Sequence, residues 1–141
     1  MKATRYLVDT SAFVRLGREP AVREPWREHF GAGLLSICPV TELEVLYSAR
    51  SVAHREQLRK LIRAAYGWVV SPDRVFERAL EVQEALTGRG THRSAGPVDL
   101  LVAATAEEHG LVLVHYDADF ATIAEVTGQP ARWVAEPGSI D

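Results

Sequence analysis

Three aspartates stand where a folded backbone could gather them. Asp9 closes the short apolar run Tyr6-Leu7-Val8, Asp117 follows the run that begins Leu111-Val112-Leu113-Val114, and Asp99 lies two residues after Pro97, ahead of Leu100-Leu101-Val102-Ala103-Ala104. An acid at the end of a strand sits at the edge where open α/β sheets bind ligands. Each also has an ordinary structural use: Asp9 can cap the helix that follows it, and Asp99 in a first turn favours the helix dipole. As a group they are harder to excuse, because carboxylates at one cleft repel and raise one another's pKa. Such a cluster calls for a cation. All-oxygen ligation fits Mg²⁺ or Mn²⁺ better than zinc, which prefers His and Cys.

A fourth acid is on offer from the segment opened by Pro39, which carries both Glu42 and Glu44. At ~100° per helical residue the two point about 200° apart, so only one can enter a pocket. Leu43 between them marks an apolar seam that either could flank, and geometry alone does not choose. Other chemistries lack their residues. The five histidines, His29, His54, His92, His109 and His115, show no ligand spacing. No glycine-rich phosphate loop or G-x-S-x-G elbow is present, and Cys38 has no motif that would make it a nucleophile.

The elements that must position these acids alternate between β-favouring and helical patterns. Strand candidates are Arg5 to Val8, Leu34 to Cys38, Gly67 to Val70, Leu111 to Val114 and Ala131 to Val134. Helices are expected from Thr10 to Gly17, Ala21 to His29, Pro39 to Arg50, Val52 to Ala65, Pro72 to Thr87 and from Pro97 to a stop at Gly110, with a last helix running to about Val126. Ser71-Pro72 reads as an N-cap with a first-turn proline. Val75, Phe76, Ala79, Leu80, Val82 and Leu86 then recur at helical spacing. This alternation argues for a parallel sheet covered on both faces.

At 141 residues, 47% hydrophobic and 25% charged, the chain is expected to form one globular domain. It has no apolar run of membrane-spanning length and no secretory signal pattern, and its single cysteine suits a reducing cytoplasm. A net charge of -3 speaks against wholesale binding to nucleic acid, so any such contact needs a local basic patch. Two are available. Arg89, His92 and Arg93 lie in the glycine-flanked stretch from Gly88 to Gly96, just ahead of Asp99, and Arg55, Arg59 and Arg63 share one helix face.

Four segments in this order resemble the PIN-domain ribonucleases, and more narrowly the VapC-type toxins of bacterial toxin–antitoxin pairs. They are Leu7-Val8-Asp9-Thr10-Ser11-Ala12, then Thr41-Glu42-Leu43-Glu44-Val45-Leu46-Tyr47-Ser48-Ala49-Arg50, then Pro97-Val98-Asp99-Leu100-Leu101-Val102-Ala103-Ala104, and His115-Tyr116-Asp117-Ala118-Asp119-Phe120. The resemblance implies a single PIN domain over residues 1–141, a three-layer α/β/α fold with a central, mainly parallel sheet of four to five strands. It implies an Mg²⁺-dependent endoribonuclease, with Mn²⁺ as a substitute, whose catalytic acids are Asp9, Glu44, Asp99 and Asp117. Asp9 and Asp99 would be the principal metal ligands, supported by Asp117 and Asp119. Glu44 is preferred to Glu42 on the family's acid-x-x-Tyr-small pattern. Implied partners are an RNA substrate, reached through Arg89, His92 and Arg93, a VapB-like antitoxin and a second copy of the chain. The chain departs from the pattern at His115, where many members have Thr or Ser two residues ahead of the fourth acid. Two rival readings are a non-catalytic binding protein and a phosphatase with Asp9 as nucleophile, although Ser11 stands where such phosphatases need a second aspartate.

Overall fold

The computed structural model describes residues 3–141. Five strands form one sheet: β1 (Tyr6–Val8), β2 (Leu35–Ile37), β3 (Gly67–Trp68), β4 (Val112–His115) and β5 (Ala131–Trp133). Their order is β3-β2-β1-β4-β5, and every neighbouring pair is parallel. The chain therefore builds outward from β1 on one side and then returns to lay β4 and β5 on the other. The switch point of the sheet lies between β1 and β4, which is where ligands bind in open parallel sheets. Asp9 and Asp117 emerge from those two strands.

Both faces of the sheet are buried, and strict alternation divides them. Leu7 and Leu113 point into one core with Ala79, Val82, Leu86, Ala103, Phe120 and Ile123, supplied by α6 (Arg74–Gly88), α7 (Pro97–Glu108) and α8 (Ala118–Thr127). Tyr6, Val8 and Val114 point into the other with Phe13, Leu16, Trp26, Val45 and Ile62. That second layer is built from α1 (Thr10–Arg18), α2 (Pro20–Arg23), α3 (Arg27–Gly31), α4 (Pro39–Tyr47) and α5 (Val52–Ala65). Helices on both faces of a parallel sheet are the three-layer arrangement expected. Gly128, at φ 73°, ends α8 in the left-handed conformation and turns the chain into β5.

Several boundaries differ from expectation for visible reasons. The single helix expected from Ala21 to His29 is broken into α2, a 3₁₀ turn (Glu24–Trp26) and α3, because Pro25 brings no N–H to the middle of it. The helix from Pro39 stops at Tyr47 rather than Arg50, and Ser48 Oγ donates to the Val45 carbonyl (2.6 Å). Ser71 does not cap α6, which starts at Arg74; its hydroxyl is 3.0 Å from Thr105 Oγ1 instead. Phe76 and Leu80 keep the helical spacing of α6 but are 58% and 66% exposed. They belong to the surface, not the core.

Candidate active site

The site is assembled from helix N-termini that meet at the C-terminal edge of the sheet. Asp9 follows β1 and caps α1: its Oδ2 accepts from Ser11 N (3.1 Å) and its Oδ1 from Ala12 N (3.2 Å). Asp117 follows β4 and caps α8, with Oδ1 accepting from Asp119 N (2.9 Å). Asp99 lies in the first turn of α7, where the Gly96 backbone N–H pulls its titration downward. The capping and pocket roles are therefore carried by the same atoms. A helix N-terminus favours negative charge, and this offsets part of the cost of crowding the acids.

The remainder of that cost appears in the titration of the group. Burial pushes the Asp9 carboxyl up to about 6 against the pull of its hydrogen bonds to Ser11 and Ala12, and the charge of Asp99 pushes the same way. Asp99 is also raised to about 6, by burial and then by Asp117, Glu44 and Asp119. Asp119 is raised by burial, by the charge of Asp117 and by a side-chain hydrogen bond to it. All five acids expected at the site are thus neighbours in an electrostatic sense. They do not form a closed cage: among the described residues, no three His, Cys, Asp or Glu side chains already converge as a metal site.

The two candidate helix acids have different surroundings. Glu44 is exposed and accepts a hydrogen bond from Thr10 Oγ1 at the start of α1. It also acts on the titration of Asp99. Glu42 turns the other way, its side chain only 15% exposed, with Arg63 of α5 at 4.0 Å. Its Oε2 is buried without a hydrogen bond. Arg63 approaches Glu42 with 62% of its side chain still exposed, beside Arg59 on the α5 surface, and Arg55 stays in solvent.

Two hydroxyls whose roles the sequence did not reveal hold this arrangement. Thr10 fixes Glu44, as above. Ser11 Oγ lies 2.8 and 3.0 Å from the two oxygens of Asp9 and accepts from the Tyr116 backbone N–H (2.8 Å), linking the ends of β1 and β4. The signal available was the pair of hydroxyl residues directly after Asp9. The departure at His115 also finds its explanation. The ring is 1% exposed, packed between Phe120 and Trp133, and its Nδ1 accepts from the Asp117 backbone N–H (3.3 Å). Burial lowers its pKa to about 4, so it stays neutral, and it steadies the peptide of Asp117 where a hydroxyl is usual.

The basic loop leads directly into α7. Its Arg89 faces Glu125 of α8 at 3.9 Å, and His92 and Arg93 are exposed.

Residues 6–126 match the family model of the PIN domain. The chain is 47% identical to Ribonuclease VapC21 of Mycobacterium tuberculosis over 136 residues, covering 96% of this chain and 98% of that protein. It is 44% identical to Ribonuclease VapC51 of the same species, over 99% of both chains. The chain belongs to the PIN-domain family of VapC ribonucleases. Its fold agrees with that of VapBC2 from Rickettsia felis, with a TM-score of 0.77 at 12% identity, over 92% of this chain and 98% of that one. A VapBC complex from Salmonella typhimurium gives 0.73 at 18% identity, over 94% and 100%. As a ribonuclease, the chain is neither the phosphatase nor the non-catalytic binder of the two rival readings.

Proposed function

We propose that this ribonuclease hydrolyses internal RNA phosphodiester bonds with a divalent cation, Mg²⁺ or in its place Mn²⁺, held by Asp9 and Asp99 and supported by Asp117 and Asp119. The observation that carries the reading is the gathering of acids at the switch point of the sheet, where burial raises Asp9 and Asp99 and neighbouring carboxylates add to it, Asp99 for Asp9 and Asp117, Glu44 and Asp119 for Asp99. Acids raised by one another's charge regain their ionised state when a cation lies between them. Their all-oxygen donor set matches a hard cation. The chemistry such a cation supplies when bound is electrophilic: it offsets charge on phosphate oxygens and acidifies water.

The chain's own residues do the rest. Glu44, held by Thr10 and open to solvent, and Asp117, held at the head of α8, are placed to orient a water and take its proton. Ser11 keeps both oxygens of Asp9 in register with the end of β4. Arg89, His92 and Arg93 would offset the acidity of the pocket and meet the RNA backbone, for which guanidinium groups are well shaped.

The proposed setting is that of a toxin restrained by a VapB-like antitoxin, since two of the structural relatives are VapBC complexes. A cleft of about 600 Å³ beside α1, α3 and α5, lined by Phe13, Leu16, Phe30, Leu61 and Tyr66, gives a protein partner an apolar seat. The chain would act in the cytoplasm, where RNA and antitoxin meet, and would do so as a homodimer. No helix among the described residues is long and apolar enough to cross a membrane.

The test is cleavage of single-stranded RNA in Mg²⁺ or Mn²⁺. Asp9→Asn and Asp99→Asn should each abolish it while circular dichroism stays unchanged. Full cleavage by both variants, purified free of contaminating nuclease, overturns the assignment.

A further inference from the structure

Tyr47 is the last residue of α4, and its side chain is 91% exposed. Among the described residues it has no side-chain hydrogen bond or ring partner, in contrast to Tyr6, Tyr66 and Tyr116, whose rings all pack against other aromatics. A tyrosine ring left in water stabilises nothing in the fold. Its position is more informative than its exposure. At ~100° per residue, Tyr47 falls about 60° from Glu44 on the helix surface, on the side of Leu43. Helical side chains lean toward the N-terminus, so a residue at this position covers the turn that carries Leu43 and Glu44. Leu43 is itself 70% exposed. An exposed aromatic and an exposed leucine therefore flank Glu44, the most exposed of the proposed catalytic acids.

Single-stranded RNA laid across this rim presents phosphates, riboses and unpaired bases. Its phosphates must approach the acids, and its unpaired bases must go somewhere else. Unstacked bases are commonly received on aromatic side chains in RNA recognition, and such stacking tolerates any sequence because every base has a π-face. Resting on the ribonuclease reading, we propose that Tyr47 is a base-stacking platform that positions the nucleotide next to the cleaved phosphate, with Leu43 as the apolar floor beside it. Tyr47 is a positioning residue, because it touches substrate away from the reacting atoms.

The experiment compares Tyr47→Ala with Tyr47→Phe, using a fluorescein-labelled mixed-sequence oligoribonucleotide. Fluorescence anisotropy in the Asp9→Asn background should give a Kd for Tyr47→Ala roughly ten- to a hundred-fold weaker, whereas Tyr47→Phe stays within about two-fold of the parent. In the otherwise native chain, KM should rise by a similar factor with a much smaller change in kcat. An abasic oligomer of the same length should bind the parent and Tyr47→Ala alike. The melting temperature should hold, because substitutions at exposed sites away from caps and packing barely move stability. Unchanged RNA affinity in Tyr47→Ala overturns the proposal, including the case in which the variant instead loses an antitoxin. The two readings fail separately: loss of cleavage by the native chain counts against the ribonuclease mechanism, while the anisotropy still decides Tyr47.

Discussion

Burial and the charge of Asp99 hold the Asp9 carboxyl at about 6, against 3.8 for an ordinary aspartate. Between those two pH values the native state keeps a proton that the unfolded chain has released. Stability therefore falls as pH rises through the window, and the penalty is complete at pH 7. For a side chain only 5% exposed, the shift from 3.8 to about 6 corresponds to roughly 2–3 kcal/mol. Asparagine at this position keeps one oxygen, enough to accept from either the Ser11 or the Ala12 N–H but not from both as the two carboxylate oxygens do, and it remains a good helix cap. The cation-free Asp9→Asn protein should accordingly melt several degrees above the native one at pH 7, and the gap should close toward pH 4. Adding Mn²⁺ should raise the native protein and not the variant. Differential scanning calorimetry at the two pH values checks this, and a variant less stable at both would mean that the carboxylate is not under strain. His115 titrates in the opposite sense: lowered from 6.5 to about 4, it makes the fold less stable as pH falls between those values, and because both proteins carry it the effect cancels in the comparison.

Among the elements, α4 offers the sharpest comparison, because it presents two glutamates on opposite faces. Glu44→Gln should lose at least a hundred-fold in cleavage rate, since it replaces the proposed base. Glu42→Gln should keep its rate within a few-fold and change mainly the packing against Arg63. Initial rates on one RNA substrate decide it, and a reversed order would put the wrong face of α4 in the site. Helical periodicity could state that the two acids diverge, but not which one faces the sheet edge. That depends on where α1 and α5 lie, which is set by chain-distant packing: Thr10 reaches Glu44 and Arg63 approaches Glu42. Ser11 was equally illegible, since its role depends on β1 and β4 being neighbours although more than a hundred residues separate it from Tyr116. What could be read was the strand–acid–helix grammar. Asp9, Asp99 and Asp117 each announce a helix start, and the alternation of apolar strands with amphipathic helices dictates a parallel sheet. The same periodicity misled at α6, where Phe76 and Leu80 obey the spacing of a core face that the structure leaves in solvent.

At the scale of the whole molecule, that uncovered face of α6 is the feature a lone protomer does not explain. Phe76 and Leu80 border a shallow groove of about 250 Å³ that Pro97, Leu100 and Leu101 complete. An apolar surface of this kind on a helix is a usual mark of association. Some charges around it are matched within the chain, Arg74 with Glu108 and Arg78 with Glu107. Glu77 and Glu84, beside Leu80 on the helix surface, are exposed, so the proposed homodimer must leave them at its solvated rim. A two-fold interface of standard size needs about 800 Å² from each protomer, more than these side chains offer, so the neighbouring surface of α7 must contribute as well. Charge placed at its centre cannot be desolvated cheaply. Leu80→Glu and Phe76→Glu should each shift the protein from dimer to monomer by sedimentation velocity at micromolar concentration. Their melting temperatures at high dilution should stay near that of the native chain, because neither residue is part of the protomer core. A native protein that sediments as a monomer at tens of micromolar, or a dimer indifferent to both charges, would remove α6 from the interface.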